Sequence, residues 1–225
     1  MNKLFSLSGS SAVTFQKLEL DGTVIKQWTA SELNMKHKVA CDTCNSGWMS
    51  LMERDLAIPA MTDLILGNRI GELSRKRARG LSLFAFKTAV IANRGLPESE
   101  WFFTASERYA FRQSFAIPND VTMFLVGLER LNGGRIGSLN IFFPDRNSPK
   151  LTLNVCSFSI GQLGFQVISA RAFGPHKIES VPIPPGLTFR FYPELEPQIS
   201  WPRKRVLSVQ AFDDFTNRWN SVRWH

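Results

Sequence analysis

The sequence predicts an α+β protein in which a β-hairpin and a group of helices precede an antiparallel β-sheet. Residues 13–20 alternate apolar and polar side chains, and a second extended pattern follows the turn signal Asp21-Gly22. Apolar residues between positions 48 and 93 recur at helical spacing. After Trp101, β-branched and aromatic runs cut by Gly and Pro predominate, so the pattern changes near residues 95–98.

The elements of the first part follow from these patterns. We expect the hairpin strands to end near Trp28 and an extended piece to run over residues 37–40. A short helix is predicted at residues 48–56, with a break or a fresh start at Pro59. Two further helices are predicted at residues 60–70 and 73–93.

The second part is predicted to be mainly sheet. A short helix is expected at residues 109–114 and a closing helix at 206–219, whereas the proline-rich residues 182–197 read as irregular. The predicted strands are residues 121–128, 137–143, 151–160 and 163–168.

Composition limits the class of protein. A hydrophobic content of 44% with 20% charged residues is typical of a folded chain of 225 residues. The 27 Lys and Arg exceed the 19 Asp and Glu, giving a net charge of +8 that attracts polyanions such as DNA or RNA. A basic surface without a specific partner is the open alternative.

The sequence predicts no membrane partner. The longest apolar run, around residues 81–92, is interrupted by Lys87 and falls short of the roughly 20 residues that span a bilayer. The first residues lack the apolar stretch of a signal peptide. The odd number of cysteines favours a reducing, cytoplasmic location.

Cys41 and Cys44 form a C-x-x-C turn, whose spacing presents two thiols to one metal ion such as zinc. Structural zinc sites use four ligands, and no second Cys or His pair is visible, because Cys156 reads as an inert core thiol and the three histidines are isolated. Two thiols without a metal are an open alternative. A redox pair is disfavoured, since the thioredoxin type opens a helix in a βαβ context that a hairpin does not provide.

The stretch Val39-Ala-Cys-Asp-Thr-Cys-Asn-Ser-Gly-Trp-Met49 resembles the second knuckle of HNH-endonuclease-like bacterial proteins, whose pattern is V-C-x-x-C-N-x-G-W-M followed by an acidic helix. The similarity continues at residues 83–89, close to that group's aromatic-x-x-K-T-A segment, and at residues 159–163. It covers residues 20–207, and the knuckle is its only highly specific motif. The first C-x-x-C and the Glu-His pair of that group have no counterpart upstream of Cys41.

This resemblance implies a partial treble-clef, HNH-like zinc-knuckle unit at residues 1–57, a helical segment at 58–97, and a β-rich region with a C-terminal helix at 98–225. It implies structural zinc at the two cysteines of the knuckle, in an incomplete site, and Mg²⁺ or Mn²⁺ if the chain is catalytic.

Two candidate catalytic residues come from the same comparison. Asn45 matches the Asn of the motif, which in that group lies near the catalytic metal. His37, on the extended piece before the knuckle, is the candidate base or an additional ligand. The structural alternatives stay open, because Asn45 also suits a tight turn and His37 also suits a solvated strand.

Basic residues are the candidate nucleic-acid contacts, although such runs are usually solvated faces. Lys87 lies in an apolar helix, where a lysine must extend to the edge or find a carboxylate. The candidates are Arg75, Lys76, Arg77, Arg79, Lys87, Arg203, Lys204 and Arg205.

The leading hypothesis is an HNH-like metal-dependent nuclease acting on DNA or RNA, truncated or catalytically degenerate in this chain. The opening residues read as mid-domain strands, which favours truncation over loss of catalysis. The alternative is a non-catalytic nucleic-acid or protein-binding module of a mobile-element or phage-defence system, and a structural protein without a ligand is the third possibility. The sequence does not set the oligomeric state.

Overall fold

A computed structural model describes residues 13–18, 24–30, 40–68, 72–129, 134–143, 151–172, 188–193, 201 and 206–217. These residues combine helices with antiparallel sheet, which confirms the predicted α+β class. The treble-clef, HNH-like identity of the first part stays a prediction. Among the helices in these ranges, none is both long enough and apolar enough to cross a bilayer.

The first two strands form the predicted hairpin. β1 (Val13–Leu18) and β2 (Val24–Ala30) pair antiparallel, and Phe15 lies opposite Trp28. The predicted turn between the strands, and all but the last residue of the predicted extended piece at residues 37–40, lie outside the described residues.

A helical segment at residues 42–66, here called α1, follows the cysteines without a break at Pro59. Pro59 lies in the first turn of its last α-helical section, where a missing N–H needs no partner. The segment ends at Gly67, whose φ of 71° provides a left-handed cap, so the predicted helix end at residue 70 is wrong. The α-helical sections are Asp42–Cys44, Ser50–Met52 and Ile58–Leu66. A π-helical turn at Glu53–Ala57 joins the last two, whereas Asn45–Met49 contains a kink at Gly47, whose φ of −88° and ψ of −113° are not helical.

Two more helices follow. α2 (Arg75–Arg94) begins at Ser74, whose side chain accepts a hydrogen bond from the Arg77 N–H, close to the predicted bounds. α3 (Ala105–Ser114) begins four residues before the predicted start at residue 109. The cause is a capping box, in which the Thr104 and Glu107 side chains each bond the other's backbone N–H.

Five antiparallel strands form the main sheet, in the order β4-β5-β6-β3-β7. Four of them confirm predicted strands. The fifth, β7, occupies residues 188–192 of the stretch predicted to be irregular, and that prediction is wrong there because the segment supplies an edge strand beside β3. The strands are β3 (Val121–Gly127), β4 (Gly134–Phe143), β5 (Leu151–Ile160), β6 (Leu163–Ala172) and β7 (Thr188–Tyr192).

The largest apolar core lies between α2 and one face of this sheet. The Phe84 ring of α2 is 6.0 Å from that of Phe158 on β5 and 6.2 Å from that of Phe165 on β6. The same core includes residues of α1 and Trp201, whose indole N–H donates to the Leu64 carbonyl at 3.1 Å. The core therefore continues across residues 95–98, where the sequence pattern changes.

The opposite face of the sheet is covered in part by α4 (Val209–Asn217). Phe212 and Phe215 of this helix pack against Val126 and Leu128 of the β3 region. A Cβ atom at Gly164 would lie 3.0 Å from the Phe212 ring, so a glycine lets the helix approach the sheet closely. The helix is the predicted closing helix, and residues 218 and 219 of that prediction lie outside the described residues.

Candidate functional site

The two cysteines lie at the beginning of α1. Cys41 has extended backbone angles and is the N-cap residue, and its sulfur accepts a hydrogen bond from the Cys44 backbone N–H at 3.1 Å. The two Sγ atoms lie 2.7 Å apart, and both thiols are free. The C-x-x-C turn therefore begins a short helical section, Asp42–Cys44, and the strands described before it form an antiparallel hairpin.

The two thiols differ in their electrostatics. The pKa of Cys41 lies below its ordinary value because the Cys44 thiol and backbone N–H donate to its sulfur, with a further contribution from the charge of Arg112. The pKa of Cys44 lies above its ordinary value because its thiol is the donor in that contact and is partly desolvated. Cys41, the more exposed of the two, therefore has the lower pKa.

The donor set supports zinc only in part. Two sulfurs bound to one zinc ion at about 2.3 Å in a tetrahedral shell lie about 3.8 Å apart, so these thiols would have to separate. In the part of the chain that the structure describes, no group of three His, Cys, Asp or Glu side chains could hold a metal ion. The described residues thus supply half of a zinc site, and the zinc prediction stays a prediction.

The candidate catalytic residues are not brought together among the described residues. Asn45 is exposed next to Cys44, and its backbone N–H donates to the Cys41 carbonyl at 2.9 Å, as a turn-forming residue would. His37 lies outside the described residues. Its role as a base or ligand stays a prediction.

An aromatic cluster connects the knuckle to α3. The Trp48 ring lies 5.7 Å from Phe111 and 6.4 Å from Phe115, in edge-on and tilted arrangements. The buried indole N–H of Trp48 has no hydrogen bond of normal geometry within the described structure. It lies close enough to the Cys44 sulfur to lower the pKa of that thiol, in opposition to the larger effects that raise it. These contacts confirm that Trp48 packs into the interior, as its helical spacing predicts.

Basic residues from two helices meet beside this cluster. Arg79 of α2 donates to the Phe115 carbonyl at the end of α3, with 2.9 Å between Nη2 and the oxygen. Arg112 of α3 is exposed, and its charge acts on both thiols. Arg75 and Lys76 lie one turn before Arg79 on α2 and are also exposed.

We call this surface the knuckle face. It consists of Cys41, Cys44, Asn45, Arg79 and Arg112. Arg112 is absent from the residues predicted from the sequence, because nothing in a short helix far along the chain indicates that it lies beside the cysteines.

Two of the residues predicted to contact nucleic acid form ion pairs with carboxylates of α1. Arg77 pairs with Asp63 of α1 at 2.6 Å, and this hydrogen bond holds the pKa of the Asp63 carboxyl below its ordinary value. Lys87 is only 3% exposed and is paired with Glu53. We therefore correct the assignment of Lys87 to phosphate contact, because its amine does not reach solvent. Arg203, Lys204 and Arg205 lie outside the described residues.

The Glu53–Lys87 ion pair joins α1 to α2 beneath the knuckle. The Lys87 amine also lies over the Phe84 ring, 4.8 Å from its centroid. Burial raises the pKa of Glu53, but the charge and the hydrogen bond of Lys87 act in the opposite sense, and the net pKa lies below the ordinary value. This is the carboxylate partner that a lysine in an apolar helix requires.

A polar network at the C-terminal end of α2 was not predicted from the sequence. Asn93 accepts a hydrogen bond from the Phe102 N–H at 2.8 Å, and Arg171 donates to Glu107 at 2.6 Å. Buried amides and charges of this kind fix the loop between α2 and α3. No spacing in the sequence connects these residues, because they meet only when the sheet forms.

Comparison with models of protein families, with curated proteins and with solved structures finds no match to this chain.

Proposed function

We propose that this protein binds nucleic acid through the knuckle face. The observation that carries the proposal is the position of two exposed arginines from different helices, Arg79 and Arg112, beside the aromatic cluster of the knuckle. Arg75 and Lys76 are exposed one turn before Arg79 on the same helix. Cationic side chains gathered in this way release counterions when they meet a phosphate backbone. The net charge of +8 adds attraction at long range.

The resemblance to HNH-like proteins supports the same surface, because the knuckle of that group belongs to a nuclease unit. Asn45, the residue that matches the motif's Asn, is exposed on the knuckle face. A phosphate held by Arg79 and Arg112 would therefore lie on the surface that carries the motif. The resemblance also supports a bacterial, cytoplasmic setting in a mobile-element or phage-defence system.

The test is the salt dependence of binding to a short DNA duplex and to single-stranded DNA and RNA, followed by fluorescence anisotropy. Four phosphate contacts on duplex DNA would give a slope of log K against log salt of about −3.6. Replacing Arg75, Lys76, Arg79 or Arg112 by Gln should weaken binding to all sequences and reduce the slope by about 1 in each case.

Arg190→Gln is the matched control. Arg190 is exposed on β7 and lies opposite Phe124 of β3. Phe124 belongs to an apolar cluster that is separate from the core under α2. Arg190 therefore lies on the face of the sheet that is turned away from α2. The control should bind like the unmodified protein. A flat salt dependence, or equal losses in the control and in the knuckle-face variants, would refute the proposal.

The second candidate function is metal-dependent cleavage of the bound nucleic acid. The observation that favours it is the exposure of Asn45 beside Cys44 within the conserved order C-x-x-C-N-x-G-W-M of the resembling group. Mg²⁺ or Mn²⁺ would supply the Lewis acid for the scissile phosphate. The described residues alone do not make up its ligand set.

A nicking assay on supercoiled plasmid with Mg²⁺ or Mn²⁺ tests this candidate. Asn45→Ala should lower the rate at least about tenfold if the amide acts at the reacting phosphate. Cleavage that persists in this variant would remove Asn45 from the mechanism. Binding without cleavage would leave the nucleic-acid-binding module as the function.

A further inference from the structure

One aromatic side chain of α3 lies almost entirely in solvent. Tyr109 is 62% exposed, the largest exposed fraction among the large hydrophobic and aromatic side chains that the structure describes. A single exposed apolar side chain is ordinary in a folded protein, so the neighbours of this ring decide what it can bind.

The neighbours of Tyr109 on the outer side of α3 are polar or cationic. Residues three and four apart lie side by side on a helix, so Ser106 lies on one side of Tyr109, and Arg112 and Gln113 lie on the other. All of these side chains are exposed. Arg112 belongs to the knuckle face, so the ring lies next to a cation of the surface proposed to bind nucleic acid.

The acidic residue of α3 does not compete for this cation. Glu107 accepts hydrogen bonds from Arg171 at 2.6 Å and from the Thr104 backbone N–H at 2.7 Å, and it is half-buried. The remaining residues of α3 carry no negative charge. The outer side of the helix therefore presents an aromatic ring and a positive charge side by side.

We propose that Tyr109 is a stacking platform for a base of single-stranded nucleic acid, and that single strands are the substrate class of the knuckle face. This inference rests on the nucleic-acid binding proposed above. Phosphates are present in single strands and in duplexes, but the face of a base is free to stack on a side chain only in a single strand. A ring beside an arginine thus contacts both parts of one nucleotide, the base and the phosphate.

The composition of this surface favours nucleic acid over a protein partner. The centre of a protein interface is usually rich in large apolar side chains. The exposed residues one turn from Tyr109 on α3 include none of these, since they are Ala105, Ser106, Arg112 and Gln113.

The experiment measures binding of the full chain to three labelled probes by fluorescence anisotropy. The probes are oligothymidylate of about 10 nucleotides, an abasic deoxyribose-phosphate chain of the same length, and a mixed-sequence duplex. At about 0.15 M salt, where phosphate contacts are weakened, the protein should bind the oligothymidylate more tightly than the duplex and at least about fivefold more tightly than the abasic chain.

Substitutions of Tyr109 separate stacking from charge. Tyr109→Ala should lose at least about fivefold in affinity for the oligothymidylate, and should bind the abasic chain and the duplex like the unmodified protein. Its slope of log K against log salt should be unchanged because the ring carries no charge, whereas Arg112→Gln should reduce the slope on the single strand by about 0.7. Tyr109→Phe keeps the ring and should bind normally, while Tyr109→Leu keeps apolar area without a ring and should bind weakly.

Gln113→Ala is the matched control. Gln113 is exposed one turn after Tyr109 and has no ring, so this variant should bind the oligothymidylate like the unmodified protein. Because both side chains are exposed, all of these variants should unfold at the Tm of the unmodified protein.

Three outcomes would overturn this proposal while nucleic-acid binding itself stands. They are equal affinity for the oligothymidylate and the abasic chain, tighter binding of the duplex at about 0.15 M salt, and an unchanged affinity for the oligothymidylate in Tyr109→Ala. With a steep salt dependence, any of them would leave phosphate binding by the knuckle face intact and would make Tyr109 a candidate contact for a protein. A flat salt dependence with every probe would refute nucleic-acid binding and this inference together.

Discussion

Removing the Lys87 charge should destabilise the protein strongly. The Lys87 side chain is 3% exposed and that of Glu53 is 12% exposed, so Lys87→Met removes a buried ammonium group that is paired with a largely buried carboxylate. Breaking a buried ion pair in this way costs about 3–5 kcal/mol. For a chain of this size, such a loss lowers Tm by roughly 6–20 °C.

The same substitution at an exposed site of the same helix is the control. Lys76 lies two turns or more before Lys87 on α2 and is exposed, so Lys76→Met should change the free energy of unfolding by less than about 0.5 kcal/mol. Urea unfolding followed by tryptophan fluorescence gives both free energies. The slope with urea should be the same in all variants, because the surface exposed on unfolding is the same.

A double-mutant cycle separates the ion pair from packing. Replacing both partners of a buried pair by apolar residues is often close to neutral, so Glu53→Leu combined with Lys87→Met should recover at least about 2 kcal/mol relative to the sum of the single losses. A cost below about 1 kcal/mol for Lys87→Met, or strictly additive losses, would show that the amine reaches water in the folded protein.

The remaining predictions concern pH, packing and thiol accessibility. Because the pKa of Glu53 is lower in the folded than in the unfolded state, this residue contributes stability above the unfolded-state pKa of about 4.3, and the contribution is lost as the pH falls through the folded-state pKa. The difference in unfolding free energy between the unmodified protein and Glu53→Gln should therefore become smaller from pH 7 to pH 4. A constant difference would contradict this prediction. Gly80→Ala should cost about 1–3 kcal/mol in urea unfolding, because its Cβ would lie 2.4 Å from the Leu56 carbonyl oxygen where α1 crosses α2, and no loss would mean that the helices move apart. Burial raises the pKa of Cys156 to about 12, so a maleimide should label it only after urea unfolding; rapid labelling of the native protein would contradict this.

Much of the fold could be predicted because it depends on local patterns. The apolar stripe of α2 and the alternation in β3 to β6 are visible in any window of ten residues. β7 was missed because it is short, is flanked by prolines, and gains its hydrogen bonds only from β3. The start of α3 was missed because the capping box depends on the Thr104 and Glu107 side chains rather than on hydrophobic spacing.

The candidate site was only partly predictable. Cys41 and Cys44 are neighbours along the chain, so their pairing follows from spacing alone. Arg112 and Arg79 reach the knuckle through Phe111, Phe115 and Trp48, a contact that exists only in the folded chain. Lys87 was assigned to phosphate contact because of its charge, but its partner is Glu53 of α1. That pairing cannot be read from the sequence, because the two residues meet only when α1 packs on α2.

Two of the three stretches that carry the HNH-like resemblance contact α1, the helical segment that contains most of the knuckle. Glu53, after the knuckle, pairs with Lys87 of the K-T-A segment. A Cβ at Gly161 of the third stretch would lie 2.9 Å from the Ile65 carbonyl oxygen, and its φ of 57° also favours glycine. Packing within this fold therefore accounts for Lys87 and Gly161, and their presence does not indicate an activity.

Packing does not require the exposed residues of the knuckle in the same way. Cys41 and Asn45 are exposed, and many residues can cap or continue a helix at their positions. A chain that had kept only the fold would tolerate Ser at Cys41 and Ala at Asn45 at small cost in stability. If both substitutions leave the free energy of unfolding within about 1 kcal/mol of the unmodified value, the fold requires neither residue, and both remain candidates for chemistry at the surface. A larger loss would show that the two residues have a structural role. The functional argument would then depend on the basic residues of the knuckle face alone.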